Sequence, residues 1–228
     1  MQNYLGNGVQ IIPFRTSGLA HEKIAIIDNQ LTWLGSTNLT ETSLSLHDNL
    51  LIGIFSEILA KKLLLRTPGE IHNFSTQSQK LELYFLPERD SLALNRILSI
   101  LDSANKEIQI ALFTFTHPQI QIALSKARER GVTVTVVIDQ FLAKGCCKKA
   151  VNHLKESNCM VRTSNSCKLM HHKWARIDRH IFITGSANWT TSAFKKNRDY
   201  LLIITPIDKN QNNFIDSVWD NLYRHSTL

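Results

Sequence analysis

With 228 residues, of which 43% are apolar and 20% charged, the chain has an ordinary globular composition, enough for one large domain or two halves sharing a core. No apolar run reaches the roughly 18 residues of a helical membrane span, so none is expected. A net charge of +7 points instead to a polyanionic partner, either nucleic acid or an anionic membrane surface.

In chain order, residues 21–40 (HEKIAIIDNQLTWLGSTNLT) read as two short apolar strands. They are joined by a turn that begins at Asp28, and the second closes at Gly35-Ser36. LLIGIFSEILAKKLLL (50–65) is cut by Glu57, Lys61 and Lys62 and reads as a strand followed by an amphipathic helix. From residue 81 the pattern is regular. A strand (81–87) leads to a helix (89–106) with Leu and Ile at helical intervals, then a strand (107–115) and a helix (118–131) ending at Gly131. The β-branched run VTVVID closes the next strand (132–139), of the kind buried on both faces. A helix around 148–157, strands at 159–163 and 200–206 and a terminal helix (212–225) complete the chain. Strands alternating with helices predict an α/β architecture with a largely parallel sheet.

The line at 21–40 is written again at 171–190 (HHKWARIDRHIFITGSANWT). Nine positions are identical without a gap: His21/His171, Lys23/Lys173, Ala25/Ala175, Ile27/Ile177, Asp28/Asp178, Gly35/Gly185, Ser36/Ser186, Asn38/Asn188 and Thr40/Thr190. Most are polar or Gly, whereas a repeated core strand would repeat its apolar residues. The duplication is therefore a duplicated half-site. Period two puts His171 and Lys173 on one strand face with His172 on the other, and His21 with Lys23 around Glu22 in the same way. Gly35 and Gly185 let the backbone turn so that the Ser and Asn side chains meet the His/Lys pair.

Two facing half-sites supply two imidazoles, two ammonium groups, two hydroxyls and two carboxamides, an inventory that suits a phosphodiester. Lys23, Lys173, Ser36, Asn38, Ser186 and Asn188 are the candidate phosphate contacts. One His can attack phosphorus while the other protonates the leaving oxygen. No carboxylate cluster stands ready for a metal, and Cys146, Cys147, Cys159 and Cys167 have no zinc spacing. Between Lys126 and Lys173 lie ten Lys or Arg against three Asp or Glu, a basic surface that would funnel a polyanion. The remaining histidines are expected on the surface or in turns, and Trp33, Trp174 and Trp189 in core packing.

His-x-Lys-x₄-Asp-x₆-Gly-Ser-x-Asn, present twice in full, resembles the signature of the phospholipase D superfamily, the HKD phosphodiesterases. The second copy is similar to small bacterial endonucleases and mitochondrial cardiolipin hydrolases, which carry one motif per chain and pair as homodimers. This chain resembles a fused version, so the site would form within one chain and no oligomer is required. The resemblance implies an α/β phospholipase D-like fold of two pseudo-twofold-related mixed-sheet halves. Residues 1–79 would be the C-terminal part of the first repeat and 80–228 the complete second repeat. It further implies that His21 is the nucleophile, forming a phosphohistidine, and His171 the acid and then the base. Asp48 and Asp199 would orient the histidines, and Asp28 and Asp178 would hold the fold. No metal or cofactor is implied.

Only twenty residues precede His21, and GNGVQIIPFRTSGLA (6–20) matches only the last strand and loop before His171. The first half is thus expected to lack its opening strand–helix–strand portion and to expose a sheet edge, and the sequence assigns no localisation. Three functions follow: a hydrolase of phospholipid phosphodiesters, a metal-independent endonuclease on DNA or RNA, or an inactive remnant kept as a binding surface. Two complete motifs argue against the last.

Overall fold

The computed structural model describes residues 12, 18–66, 71–76 and 78–228; most of the 6–20 segment lies outside them. The first half runs β1 (Ile24–Ile27), β2 (Leu31–Gly35), α1 (Glu41–Leu46), β3 (His47–Asp48), β4 (Leu51–Phe55) and α2 (Glu57–Leu65). Next come β5 (Ile71–Thr76), β6 (Gln79–Leu86), α3 (Leu92–Ser103), β7 (Glu107–Leu112), α4 (Pro118–Glu129) and β8 (Thr133–Ile138). They are followed by α5 (Gln140–Lys144), α6 (Lys148–Glu156), β9 (Met160–Ser164) and β10 (Leu169–Met170). The chain finishes with β11 (Lys173–Ile177), β12 (Ile181–Gly185), α7 (Thr191–Lys195), β13 (Asp199–Thr205), α8 (Lys209–Arg224) and β14 (Ser226–Thr227).

A nine-stranded sheet in the order β14-β9-β8-β7-β11-β12-β13-β6-β5 forms the body of the molecule. Its strands divide their side chains by period two between two cores. Ile108, Ile110, Val134, Val136, Ala175, Ile177, Leu201 and Ile203 face α3, α4 and α6. Ala111, Val137, Trp174, Phe182, Tyr200 and Leu202 face the first half and α8. Only β7–β8 and β8–β9 pair in parallel within this sheet, while the motif strands are antiparallel. The sheet is mixed, which corrects the expectation of a largely parallel one: a short turn joins β11 to β12, and the segment carrying α7 brings the chain back beside β12 as an antiparallel β13.

The repeat is reproduced in register. Ile24↔Leu34 and Gly35↔Leu51 in the first half match Trp174↔Thr184 and Gly185↔Leu201 in the second, each pair falling at the positions that the gapless alignment makes equivalent. Thr40 and Thr190 cap the short helices that follow each motif, their hydroxyls accepting from the backbone N–H of Ser43 and Ala193. In the second half β7 extends the edge of β11 and β6 the edge of β13. Among the described residues, β1 and β4 each pair only with β2. The boundary expected at 79/80 falls inside β6, whose hairpin with β5 belongs to the large sheet.

The halves are joined by exchange. Met170 pairs in parallel with Asp48, and Ala20 with Arg198, so that each half repeats what the other does. Glu22 binds Arg66 at 2.6 Å and Arg198 at 2.5 Å, tying the first motif to α2 and to the strand entering β13. On the far side, an apolar cavity of about 420 Å³ opens between β4 and α8. No helix among the described residues is long and apolar enough to cross a membrane.

Candidate active site

Gly35 and Gly185 set the geometry. Both have φ near +150° (151° and 154°), and a Cβ at either would collide with the carbonyl oxygen of Leu50 or Tyr200. The close approach lets Ser36 and Ser186 bond the next strand. Ser36 N–H donates to Leu50 O at 2.9 Å and its Oγ accepts from Leu50 N–H at 3.0 Å. Ser186 Oγ accepts from Tyr200 N–H at 3.1 Å and donates to Asp199 Oδ1 at 2.6 Å. The expectation that the two serines contact phosphate is therefore corrected, since both hydroxyls are buried and committed to the strands behind them. Asn38 and Asn188 are half-buried on the loops that follow, and Asn188 Oδ1 has no partner among the described residues.

The histidines are held crosswise between the halves. His21 Nδ1 donates to Asp199 Oδ1 at 2.8 Å. His171 Nδ1 lies 3.0 Å from Ser36 O and 3.2 Å from Asn49 Oδ1. Asp199 thus meets a motif histidine and Asp48 does not. Asp48 binds His172 Nε2 at 3.0 Å instead, and although burial pushes its carboxyl up, the His172 bond and charge hold it below the usual value. The reason is register. When the two motifs are aligned without a gap, Asn49 is the counterpart of Asp199, whereas Asp48 corresponds to Arg198.

The lysines lie beneath the histidines. Lys173 Nζ donates to His171 Nε2 at 3.0 Å and lies 5.3 Å from the centre of the Phe113 ring. Lys23 Nζ donates to the His21 carbonyl at 2.5 Å. Burial lowers Lys23 to about 8 against the attraction of Asp199. Lys173 falls well below its ordinary value, through burial and then through repulsion from Lys23. His171 is drawn down to about 3, first by burial and then by Lys173 and Lys23. Buried cations that repel one another form a site that an entering anion stabilises.

Asp178 accepts backbone N–H bonds from Asn105, Lys106 and Glu107 at 2.8–2.9 Å, fixing the β11–β12 turn to the start of β7. Asp28 occupies the equivalent turn and is exposed. The remaining histidines were expected on the surface or in turns; His72 and His172 are buried instead and His117 is buried at the cap of α4, while Trp174 and Trp189 are in the core and Trp33 is 38% exposed. Sequence reasoning missed Asn49, His47 and Phe113. The rings of His47 and Phe113 lie 5.9 and 4.7 Å from that of His171. Extending the alignment past the motif would have found Asn49, but Phe113 arrives only through the pairing of β7 with β11. Among the described residues no group of three or more His, Cys, Asp or Glu side chains is placed to hold a metal, and all four cysteines are free.

The family model described as "Cardiolipin synthase, PLD-like domain" matches residues 1–65 and 97–219. The chain belongs to this phospholipase D-like family. Among relatives of this family, the mitochondrial cardiolipin hydrolases of Homo sapiens and Canis lupus familiaris are 34% and 33% identical over 156 and 150 residues, 65% of this chain. The chain spans about 57% of the length of these relatives. The crystal structure of Nuc, a phospholipase D family member from Salmonella typhimurium, superposes with a TM-score of 0.61 at 28% identity, covering 66% of this chain and 97% of Nuc. Phosphatidylserine synthase of Haemophilus influenzae Rd KW20 superposes with a TM-score of 0.73 at 12% identity over 92% of this chain and 63% of its own. This last likeness shows that the fold extends over nearly the whole phospholipase D-like chain.

Proposed function

We propose that the protein is a phospholipase D-type phosphodiesterase that hydrolyses phospholipid phosphodiester bonds through a phosphohistidine. The observation that carries this reading is the convergence, within one chain, of two motif histidines, each with Nδ1 tied from behind and a buried lysine beside it. Nδ1–H bonding leaves Nε2 of each ring for chemistry, one as nucleophile and one as acid and base. Lys23 and Lys173, with the carboxamides of Asn38 and Asn188, neutralise the phosphoryl oxygens as charge builds. His21, Lys23, His171 and Lys173 are the proposed catalytic residues, and Asp199 positions His21. The likeness to mitochondrial cardiolipin hydrolases favours the lipid. A nuclease reading is favoured by the likeness to Nuc and by the basic stretch, where Lys126, Arg128, Lys148 and Lys149 are all exposed. The test incubates the purified chain in EDTA with mixed phospholipid vesicles, cardiolipin included, or with labelled single-stranded DNA or RNA. Release of phosphatidic acid in chelator supports the lipid reading and cleavage of the polymer alone the nuclease. Activity that vanishes in EDTA and returns with one divalent ion overturns both.

A further inference from the structure

The wall of the site continues outward into a rim whose exposed side chains are apolar and cationic. α1 is fastened to the site, since Asn49, which meets His171, donates from Nδ2 to the Ser43 carbonyl at 2.8 Å. The outward residues of α1 include Leu44 and Leu46, 61% and 62% exposed. Leu46 immediately precedes His47, whose ring lies 5.9 Å from that of His171. The motif itself does not require this exposure. Phe194, the counterpart of Leu44 in the repeat, is buried with its ring 5.3 Å from that of His117, whereas Leu44 stays open to solvent.

The lysines of the rim come from the other half. Leu169 pairs with His47, which sets Lys168 and Leu46, the residues before each, at one end of the β3–β10 pair. The Lys168 charge is felt at the Asp48 carboxyl. At the end of β9, Ser164 Oγ accepts the Gln140 N–H at 3.1 Å and fixes the start of α5. α5 carries Phe141, 68% exposed, and Lys144, and the turn after it leads to Lys148 and Lys149. Residues 140–149 and 164–169 hold four exposed lysines and no Asp or Glu, and α1 adds one carboxylate, Glu41. Lys148 and Lys149 open α6, where the helix dipole disfavours cations. Positive charge is gathered here against the preference of the helix.

We propose that α1, the 164–168 loop and α5 form a docking face for an anionic phospholipid bilayer. Leu44, Leu46 and Phe141 enter the boundary of the acyl chains, and Lys144, Lys149 and Lys168 meet the headgroup phosphates. Lysines alone would suit a nucleic acid as well as a bilayer. The leucines decide between them: a base can stack on Phe141 but gains little from an aliphatic side chain, whereas both leucines leave water on entering lipid. Apolar anchors ringed by cations are how a surface lies on an anionic membrane. Docking holds the interface one residue from His47 and so brings headgroup diesters to the paired histidines. That delivery rests on the phosphodiesterase reading; the docking itself is measured without turnover.

The experiment sediments the whole chain with phosphatidylcholine vesicles, with and without cardiolipin, at low and high salt. Binding is expected with cardiolipin only and should weaken as salt rises. Leu44→Ser, Leu46→Ser and Phe141→Ser should each lower vesicle partitioning by about tenfold. Lys144→Gln and Lys168→Gln should each lower it by about fivefold. All five variants should hydrolyse bis(p-nitrophenyl) phosphate, a soluble diester, as wild type does and lose rate on vesicles alone. Equal binding to both kinds of vesicle, or variants that bind as wild type does, overturns the docking face. Lysine variants that lose single-stranded DNA but keep vesicles overturn it in favour of a nucleic-acid surface. Sedimentation without vesicles that the serine variants abolish overturns it in favour of a contact between copies. Equal loss on soluble and vesicle substrates also overturns it, by assigning these side chains to the integrity of the site. No hydrolysis of any diester by wild type overturns the phosphodiesterase reading, and vesicle sedimentation still decides the docking face.

Discussion

Two adjacent histidines part company where β11 begins. His171 turns toward the first half, and His172 turns the other way into a pocket where Trp174 Nε1 donates to its Nδ1 at 3.1 Å and Asp48 takes its Nε2. Period-two alternation predicts this divergence. The pocket is closed, since His172 is 1% exposed, and truncation would leave the indole N–H and the carboxylate without this partner. His172→Ala should cost about 1–3 kcal/mol, read as a fall in the midpoint of urea unfolding. A variant as stable as wild type would show that the pocket rehydrates without penalty. Asn49 carries the opposite lesson. Its place was legible by carrying the gapless alignment on to Asp199, but a preference for a carboxylate moved the assignment to the neighbouring Asp48.

The lysines give the pH response its sign. Lys23 titrates in the folded protein at about 8 instead of 10.5, so between these values the unfolded chain holds more protons. Its contribution therefore costs stability at neutral pH, and that cost fades as pH rises from about 8 to 10.5. His171, at about 3 instead of 6.5, gives a contribution that is lost as pH falls from about 6.5 toward 3, because the unfolded chain takes up the proton first. Affinity should follow the charge and not the stability. Competitive inhibition by inorganic phosphate is expected to weaken above about pH 8, with a smaller change in Lys23→Arg, measured as Ki from pH 6.5 to 10. An alkaline limb of equal size in both proteins would detach it from Lys23.

At the scale of elements, the longer strands and helices of residues 81–228 were readable because they announce themselves locally, whereas the short α5, α7, β10 and β14 do not. Periodicity, Gly131 and the Val/Ile run of β8 place the longer ones, and the structure mainly shortens the ends, as with α3 and β7. Strand order was not readable. β6 lies against β13 although α3 to α7 intervene in the chain, and the two-residue strands β3 and β10 exist only because the halves meet there. Tyr200 belongs to this hidden class. From β13 its hydroxyl accepts the Gly35 N–H at 2.7 Å and lies 3.2 Å from Lys23 O, binding one motif from beneath the other. Tyr200→Phe keeps the ring and strands a buried N–H, a loss of about 1–3 kcal/mol that should appear in denaturant titration. Gly185→Ala meets the Tyr200 carbonyl directly with φ already in the left-handed half of the map, and it should prevent a properly folded site. Recovery of wild-type activity in that variant would mean the strand can shift to make room.

For the molecule as a whole, the internal repeat made a pseudo-twofold arrangement legible, and the same correspondence recurs in strand register, in the paired bridges and in the helix caps. The repeat could not disclose how unequal the halves are. The second rests on nine strands with cores on both faces, whereas the described first half is a three-stranded sheet with Phe55, Ile58, Leu64 and Leu65 exposed and a cavity beside β4. Such a half sits at the low end of local stability. On heating, phosphodiesterase activity is expected to disappear several degrees before the bulk of the secondary structure, followed by turnover and circular dichroism on one sample. Coincident loss would make the two halves a single cooperative unit.

The crosswise hold on the histidines turns that inequality into a fuse. Each ring takes its bearing from the opposite half, His21 from Asp199 and His171 from Ser36 and Asn49, so neither half can be left partly competent when the other loosens. The site behaves as a logical AND, and its working lifetime is that of the weaker half. Stiffening the large sheet would lengthen the life of the fold and leave the life of the activity unchanged.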